Sequence, residues 1–294
     1  MKNKINFSIH TIALSVLFVL GNAVIYLPQK NANEYTFLAF MVAAVLNILA
    51  VALSFPLAEF SFKEAEIKGI KKCFAVVIII VVTLFDAFCI AETFKSFIKF
   101  VSAVILPDTP MFFITVLFLA VVLFFISKRQ EELLKFSFLA FFITASLIIF
   151  FFFATVTNYN FRNIFIFRLP KTKEFIGKLT PYIKNPVLQS LLLPFFTVSA
   201  VGKKHKKHLL WGLAIALTLL GICLLGPLLL FGPVFAGDLP YPYASAVSTV
   251  TVGRLFTRLD GFSYFIYFAT ALVKIVASAF LIKKGLKRLN KILK

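Results

Sequence analysis

Long apolar runs and short polar connections alternate along the whole chain, and that pattern sets the first expectations. A membrane-crossing helix needs about 20 mostly apolar residues, since each adds about 1.5 Å toward a hydrocarbon core of about 30 Å. By that measure the runs at 8–28, 36–57, 73–99, 111–127, 133–156, 186–201, 209–235 and 259–283 each predict a span. The segment 236–258 is too polar to cross and predicts an external, partly helical connection that dips back over the outer end. Its β-branched run from Val247 to Val252 weakens the helical pattern there. The sixth run is short and contains Pro186 and Pro194. The first, Ile9 to Leu27, follows Lys2 and Lys4 as a signal peptide would. It ends in Tyr26-Leu27-Pro28-Gln29, without a small-residue cleavage site, and is read as the first span.

Composition closes off the soluble alternatives. Of the 294 residues 61% are hydrophobic and 15% charged, with 39 phenylalanines, and the mean hydropathy is +0.96. A soluble domain is nearer half apolar and a quarter charged. No connection is long or polar enough to bury a core of its own, so the whole chain, 1–294, reads as one all-α polytopic membrane domain of about eight spans.

The net charge of +19 would otherwise suggest nucleic acid. Here the basic residues cluster between apolar runs, as the positive-inside rule requires, and no nucleic-acid partner is expected. With the N-terminus inside, the inner side holds 19 of the 31 Lys and Arg residues, including Lys203, Lys204, Lys206 and Lys207 and the tail Lys283 to Lys294. An even number of spans then puts both termini in the cytoplasm. The run Lys203 to His208 is also placed to meet anionic headgroups.

Cys73, Cys89 and Cys223 lie in or beside apolar runs, without a spacing for a metal site or a disulfide framework. No GxSxG, P-loop or GxGxxG occurs, and no nucleophile–base pair or metal set is legible. No metal, no cofactor and no enzymatic activity are expected.

Two spans stand out. Span one carries Gly21-Asn22, and span six carries Pro194 within Leu191 to Ser199. Non-helical backbone at membrane depth must be buried in protein or line a cavity. Interrupted spans at corresponding positions of two halves point to a transporter-type site. The alternative at both places is plain packing: Gly21 as a close helix–helix contact and Pro194 as a tolerated kink. Two ionisable residues lie inside spans, Asp86 in span three and Lys274 in span eight. Such residues are costly and are functional candidates. Their depths differ by about 5 Å at about 1.5 Å per residue, so they form a candidate charge pair; the alternative for Lys274 is snorkelling to the inner interface. Glu92, Lys95 and Lys99 read as a solvated outer helix end, and Glu59, Glu64 and Glu66 as an inner loop surface.

The stretch Tyr241-Pro242-Tyr243-Ala244-Ser245-Ala246-Val247, through Val252-Gly253-Arg254-Leu255-Phe256 and Arg258-Leu259-Asp260-Gly261 to Lys274-Ile275, resembles the B-subunit family of spore germinant receptors, the GerAB-type germination permeases. The Gly-Asn pair with Leu27-Pro28, Leu106-Pro107-Asp108-Thr109-Pro110 and Leu193-Pro194-Phe195-Phe196 support the resemblance in chain order. It implies an APC-superfamily fold with a LeuT-type inverted repeat of ten spans, of which this chain lacks the last two. It also implies a nutrient-binding subunit in the spore inner membrane, sensing a small molecule such as an amino acid and signalling to A- and C-type subunits. The rival functions are a secondary transporter of amino acid, ion or water, and a ligand-free assembly subunit. By position in that fold, the implied ligand residues are Leu20, Gly21, Asn22 and Ala23 in span one, and Asp86 and Cys89 in span three. Span six contributes Phe195, Phe196 and Thr197, and span eight Tyr264, Tyr267 and Thr270. For each tyrosine the alternative is an interfacial anchor.

Overall fold

A computed structural model describes residues 7–25, 32–33, 35–62, 70–163, 172–200, 205–250 and 260–293. Every regular element among them is helical. The helices are α1 (Phe7–Ala23), α2 (Thr36–Phe62), α3 (Ile70–Phe100, continued by a π-helical turn Val101–Ile105), α4 (Met111–Ser127) and α5 (Gln130–Ala154). They are followed by α6 (Thr172–Tyr182), α7 (Leu188–Ser190), α8 (Leu192–Ala200), α9 (Lys206–Phe231), α10 (Pro233–Asp238), α11 (Pro242–Ser248) and α12 (Asp260–Leu293). Five helical stretches, Thr36–Phe62, Ile70–Ile105, Gln130–Ala154, Lys206–Phe231 and Gly261–Ile292, are long and apolar enough to cross a membrane, and Ser8–Gly21 and Met111–Ser127 are shorter apolar helices. The protein is an all-helical polytopic membrane protein.

Local chemistry accounts for the punctuation. α3 stops before Leu106-Pro107-Asp108-Thr109-Pro110, and α4 starts directly after Pro110, because proline cannot donate to a preceding turn and suits a helix start. Lys128 and Arg129, both with extended ψ, form the tight link to α5. Glu131 and Glu132 then sit at the positive end of the α5 dipole. α9 ends at Gly232, whose φ of 78° is the left-handed region that glycine enters without a Cβ penalty. Pro233 then opens α10.

α12 is the central post. It packs on α1, α3, α4, α5, α8 and α11, and α1 is held between α12, α9 and α5. α3 and α12 run antiparallel: Gly285 lies against Thr83, Phe97 against Phe268 at 6.1 Å and Phe100 against Tyr264 at 6.4 Å between ring centroids. In the connection after α9, Pro242, Tyr243, Ala244, Ala246 and Val247 of α11 are buried against α9 and α12. Leu27-Pro28, Lys203-Lys204 and residues 251–259, with Val252 to Arg258, lie outside the described residues.

Two expected interruptions move. α1 is helical through Gly21 to Ala23, with Val24 N–H still bonded to Leu20 C=O at 3.0 Å. Gly21 is therefore a packing position, as the second reading of that glycine has it. In span six, Pro194 lies within α8, in its first turn, where a missing N–H costs nothing. The backbone leaves helical geometry earlier, at Asn185 (φ −150°, ψ 113°), and stays helical at Leu191 (φ −61°, ψ −18°). Between these residues stands the single turn α7, carrying the buried Gln189 and Ser190.

Candidate functional site

The polar residues of α3 and α12 recur at helical spacing and face each other. On α3, Asp86, Cys89, Thr93 and Ser96 are buried on one face. On α12, Ser263, Tyr267, Thr270, Lys274 and Ser278 are buried on one face. Steps of three and four residues place each set along one stripe. Against a helix run of Ile, Val and Leu, such a stripe is stable only where each side chain finds company inside the protein, because lipid offers no hydrogen bonds.

Lys274 is the centre of this seam. It is 2% exposed. Its aliphatic stem lies against Gly21 of α1, where an added Cβ would stand 2.7 Å from Cδ and 2.9 Å from Cβ of the lysine, and 3.0 Å from the Thr270 carbonyl oxygen. Only glycine leaves room for the lysine there. The ammonium is 5.6 Å from the centroid of the Phe18 ring, within cation–π range. Lys274 Nζ donates to Gln189 Oε1, and Gln189 Nε2 donates to Glu92 Oε2 at 2.7 Å. The lysine is thus tied to α3 through the α7 side chain and does not snorkel to the inner surface.

Asp86 is fully buried, and neither carboxylate oxygen has a hydrogen-bond partner. Ser278 of α12 is its polar neighbour and Lys274 the cation whose charge reaches it. The two charges share the seam at similar depth, but the ammonium is turned to Gln189 rather than onto the carboxylate. Beside this centre, Ser190 Oγ donates to Asn47 Oδ1 of α2, and Asn47 Nδ2 is buried without a partner.

Leu20, Ala23, Asp86, Cys89, Phe195, Phe196, Thr197, Tyr267 and Thr270 are all buried. Gly21, Asp86, Cys89, Thr270 and Lys274 come together on the seam. The side chain of Asn22 lies outside the described residues. Tyr267 and Tyr264 belong to an aromatic cluster beside α11, with Phe100 at 4.3 Å and 6.4 Å respectively and Tyr243 at 6.3 Å from Tyr267. Thr270 Oγ1 donates to its own helix, at Ile266 C=O, 2.6 Å. Phe195 points to the other end, with the Phe62 ring at 6.4 Å. Span six accordingly presents Gln189 and Ser190 to the centre, upstream of the Phe195–Thr197 stretch. Glu92 is drawn into the same network and is more than a solvated helix end. Both residues left a signal in the sequence: Glu92 is three residues beyond Cys89 on the Asp86 stripe, and Gln189-Ser190 is a polar pair inside the apolar run that follows Pro186.

The seam is closely packed. A small, half-open cleft lies elsewhere, between α5 and α9 and under α11, bordered by Thr155, Tyr159, Gly226, Pro227 and Tyr243. Among the described residues no three His, Cys, Asp or Glu side chains gather as metal ligands.

No curated protein and no solved structure matches the chain. A family described as spore germination protein, the spore permeases, matches residues 4–294. With buried charge organised between membrane-spanning helices and a family match over nearly its whole length, the chain belongs to the spore germination protein family.

Proposed function

We propose that this permease-like membrane protein is the nutrient-sensing subunit of a spore germination receptor. It would reside in the spore inner membrane with both termini in the cytoplasm, bind a small molecule such as an amino acid, and signal to A- and C-type partner subunits. The observation that carries the reading is the junction of Gly21, Thr270, Lys274, Gln189 and Glu92, where three spans and a broken one meet around polar groups. Broken helices beside a buried polar centre are where transporter-type folds hold their ligands. Leu20, Ala23, Asp86 and Cys89 complete the proposed shell. A ligand signals only if it prefers one arrangement of these helices over another, and the segment that leaves helical geometry at Asn185, just before α7, is the element proposed to adopt two.

The test is thermal stabilisation of the purified, detergent-solubilised protein by a panel of amino acids, nucleosides and sugars. A ligand of the folded form raises stability by mass action, about 2.7 kcal/mol at 100 times its Kd. A stabilising compound whose effect is lost in Thr270→Val and Gln189→Leu supports the reading. A folded protein unmoved by the whole panel favours an assembly role. Flux of the stabilising compound into proteoliposomes would instead mark a transporter.

A further inference from the structure

The seam holds two ionisable groups in an unusual relation. Asp86 has neither oxygen hydrogen-bonded and no exposure. Lys274, close enough for its charge to be felt there, gives its ammonium to an uncharged amide instead. An isolated carboxylate in such a place is among the most unfavourable states a protein interior offers, and a neutral acid beside a hydroxyl is far less so. Ser278, whose hydroxyl is also buried without a partner, supplies that hydroxyl.

The groups that surround this pair are few. On α3, Cys89 and Glu92 reach Lys274 together with Asp86. α4 and α8 contain no titratable residue, and the titratable side chains of α5, Glu131, Glu132 and Lys135, stand in its first two turns. α1 brings the Phe18 ring and the bare backbone of Gly21, with His10 one turn from its start. α2, packed on α3, brings Glu59 near its end, and α11, packed on α12, brings Tyr243. The charges that reach one another at the centre of the seam are Asp86, Lys274 and Glu92. Lys274 has a flexible four-carbon stem and two acceptors within its span: the Gln189 amide, held in place by Glu92, and the Asp86 carboxyl. Gln189 sits on a short helical turn four residues after Asn185, where the backbone leaves helical geometry, so a change of the Asn185 dihedrals would move the amide.

We infer that Asp86 is a proton-binding site, which takes up and gives off one proton as the Lys274 ammonium moves between Gln189 and Asp86. With the ammonium on Gln189, Asp86 is a neutral carboxylic acid. When Gln189 withdraws, the ammonium turns to Asp86. The acid O–H bond breaks, its electron pair stays on the oxygen, and the proton leaves along the seam past Ser278 and Thr83. Lysine keeps all its N–H bonds, the site loses one positive charge, and the released proton carries it. The protein thereby links the position of the α7 turn to protonation at mid-membrane depth, whatever nutrient it senses.

Infrared spectroscopy of the protein reconstituted in lipid tests this with no nutrient present. A protonated carboxyl has a C=O stretch well separated from that of a carboxylate. The wild type at neutral pH should show a protonated-carboxyl component that disappears in Asp86→Asn and shifts in Asp86→Glu. Gln189→Leu, which removes the amide acceptor, should lose the same component at the same pH, because the ammonium then pairs with Asp86. A wild-type spectrum without a protonated-carboxyl band overturns the inference by itself, and needs no variant to fold. A band unchanged in both Asp86 variants, or one that persists in Gln189→Leu, overturns it as well. Should Asp86→Asn not fold, the shift in Asp86→Glu decides the assignment.

Discussion

α4 and α12 are both spans, and they invert the rule familiar from soluble proteins. α4 has no charged side chain at all, yet it stands at the edge. It buries only Ile114, Phe118 and Val122, a stripe at four-residue steps, and leaves Phe112 and Leu117 about 70% exposed. α12 carries Lys274, Thr270, Ser263 and Ser278 within its span, and its apolar window is the most enclosed of the five long spans. In the long spans the same contrast is numerical: 78% of the apolar window of α12 is buried, against 28% of that of α3. In water, apolar surface drives burial. In lipid that drive between helices is absent, and the side chains that gain by going inside are the ones lipid cannot solvate. Polarity, more than hydrophobicity, marks the centre of this molecule.

The comparison can be broken most severely at Lys274. Lys274→Met removes the donor to Gln189 and the cation beside Asp86, and removing one member of a buried charged network costs about 3–5 kcal/mol. The unfolding midpoint in detergent should fall accordingly, and Glu92→Gln in the same chain, which removes the charge left without its cation, should recover part of the loss. A change below about 1 kcal/mol would show that the seam is not a stabilising network. Next in size is a pair of glycines. Gly21→Ala must displace the lysine stem or the α12 backbone, at about 1–3 kcal/mol for overpacking. Gly177→Ala, on exposed α6 with nothing within 4 Å of the new methyl, should instead stabilise by up to about 1 kcal/mol through helix propensity. Opposite signs in thermal unfolding sharpen the contrast between close-packed centre and open edge; equal signs would dissolve it. The smallest effect belongs to α4: Leu117→Ala on its exposed face should stay within about 0.5 kcal/mol. A larger loss would mean that this face packs on protein.

Much of the fold can be read without coordinates. Hydrophobic run length predicts nearly every long helix, since the period and the bilayer thickness act locally. The run 133–156 coincides closely with α5 (Gln130–Ala154). Prolines and charge clusters mark most of the ends. The candidate site is legible in part. Asp86, Cys89, Gly21, Thr270 and Lys274 stand out because polar or bare positions inside apolar runs are few. Gln189 and Glu92 escape attention, because a Gln three residues after a proline and a Glu within reach of a helix end have ordinary solvated explanations when their neighbours are unknown.

By itself, then, the sequence determined a membrane-embedded bundle of apolar helices, the distribution of basic clusters between its spans, and the small set of polar residues that lipid would reject. The tertiary structure decided which of them meet. It placed the non-helical backbone of span six at Asn185, ahead of Pro194, made Gly21 a seat for a lysine stem rather than an interruption, and turned the Lys274 ammonium to Gln189. The physical reason is range. Helix formation and membrane insertion depend on residues within a few turns of one another. The partner of a buried charge is chosen among side chains far away in sequence, 85 residues in the case of Lys274 and Gln189, and only packing brings those together.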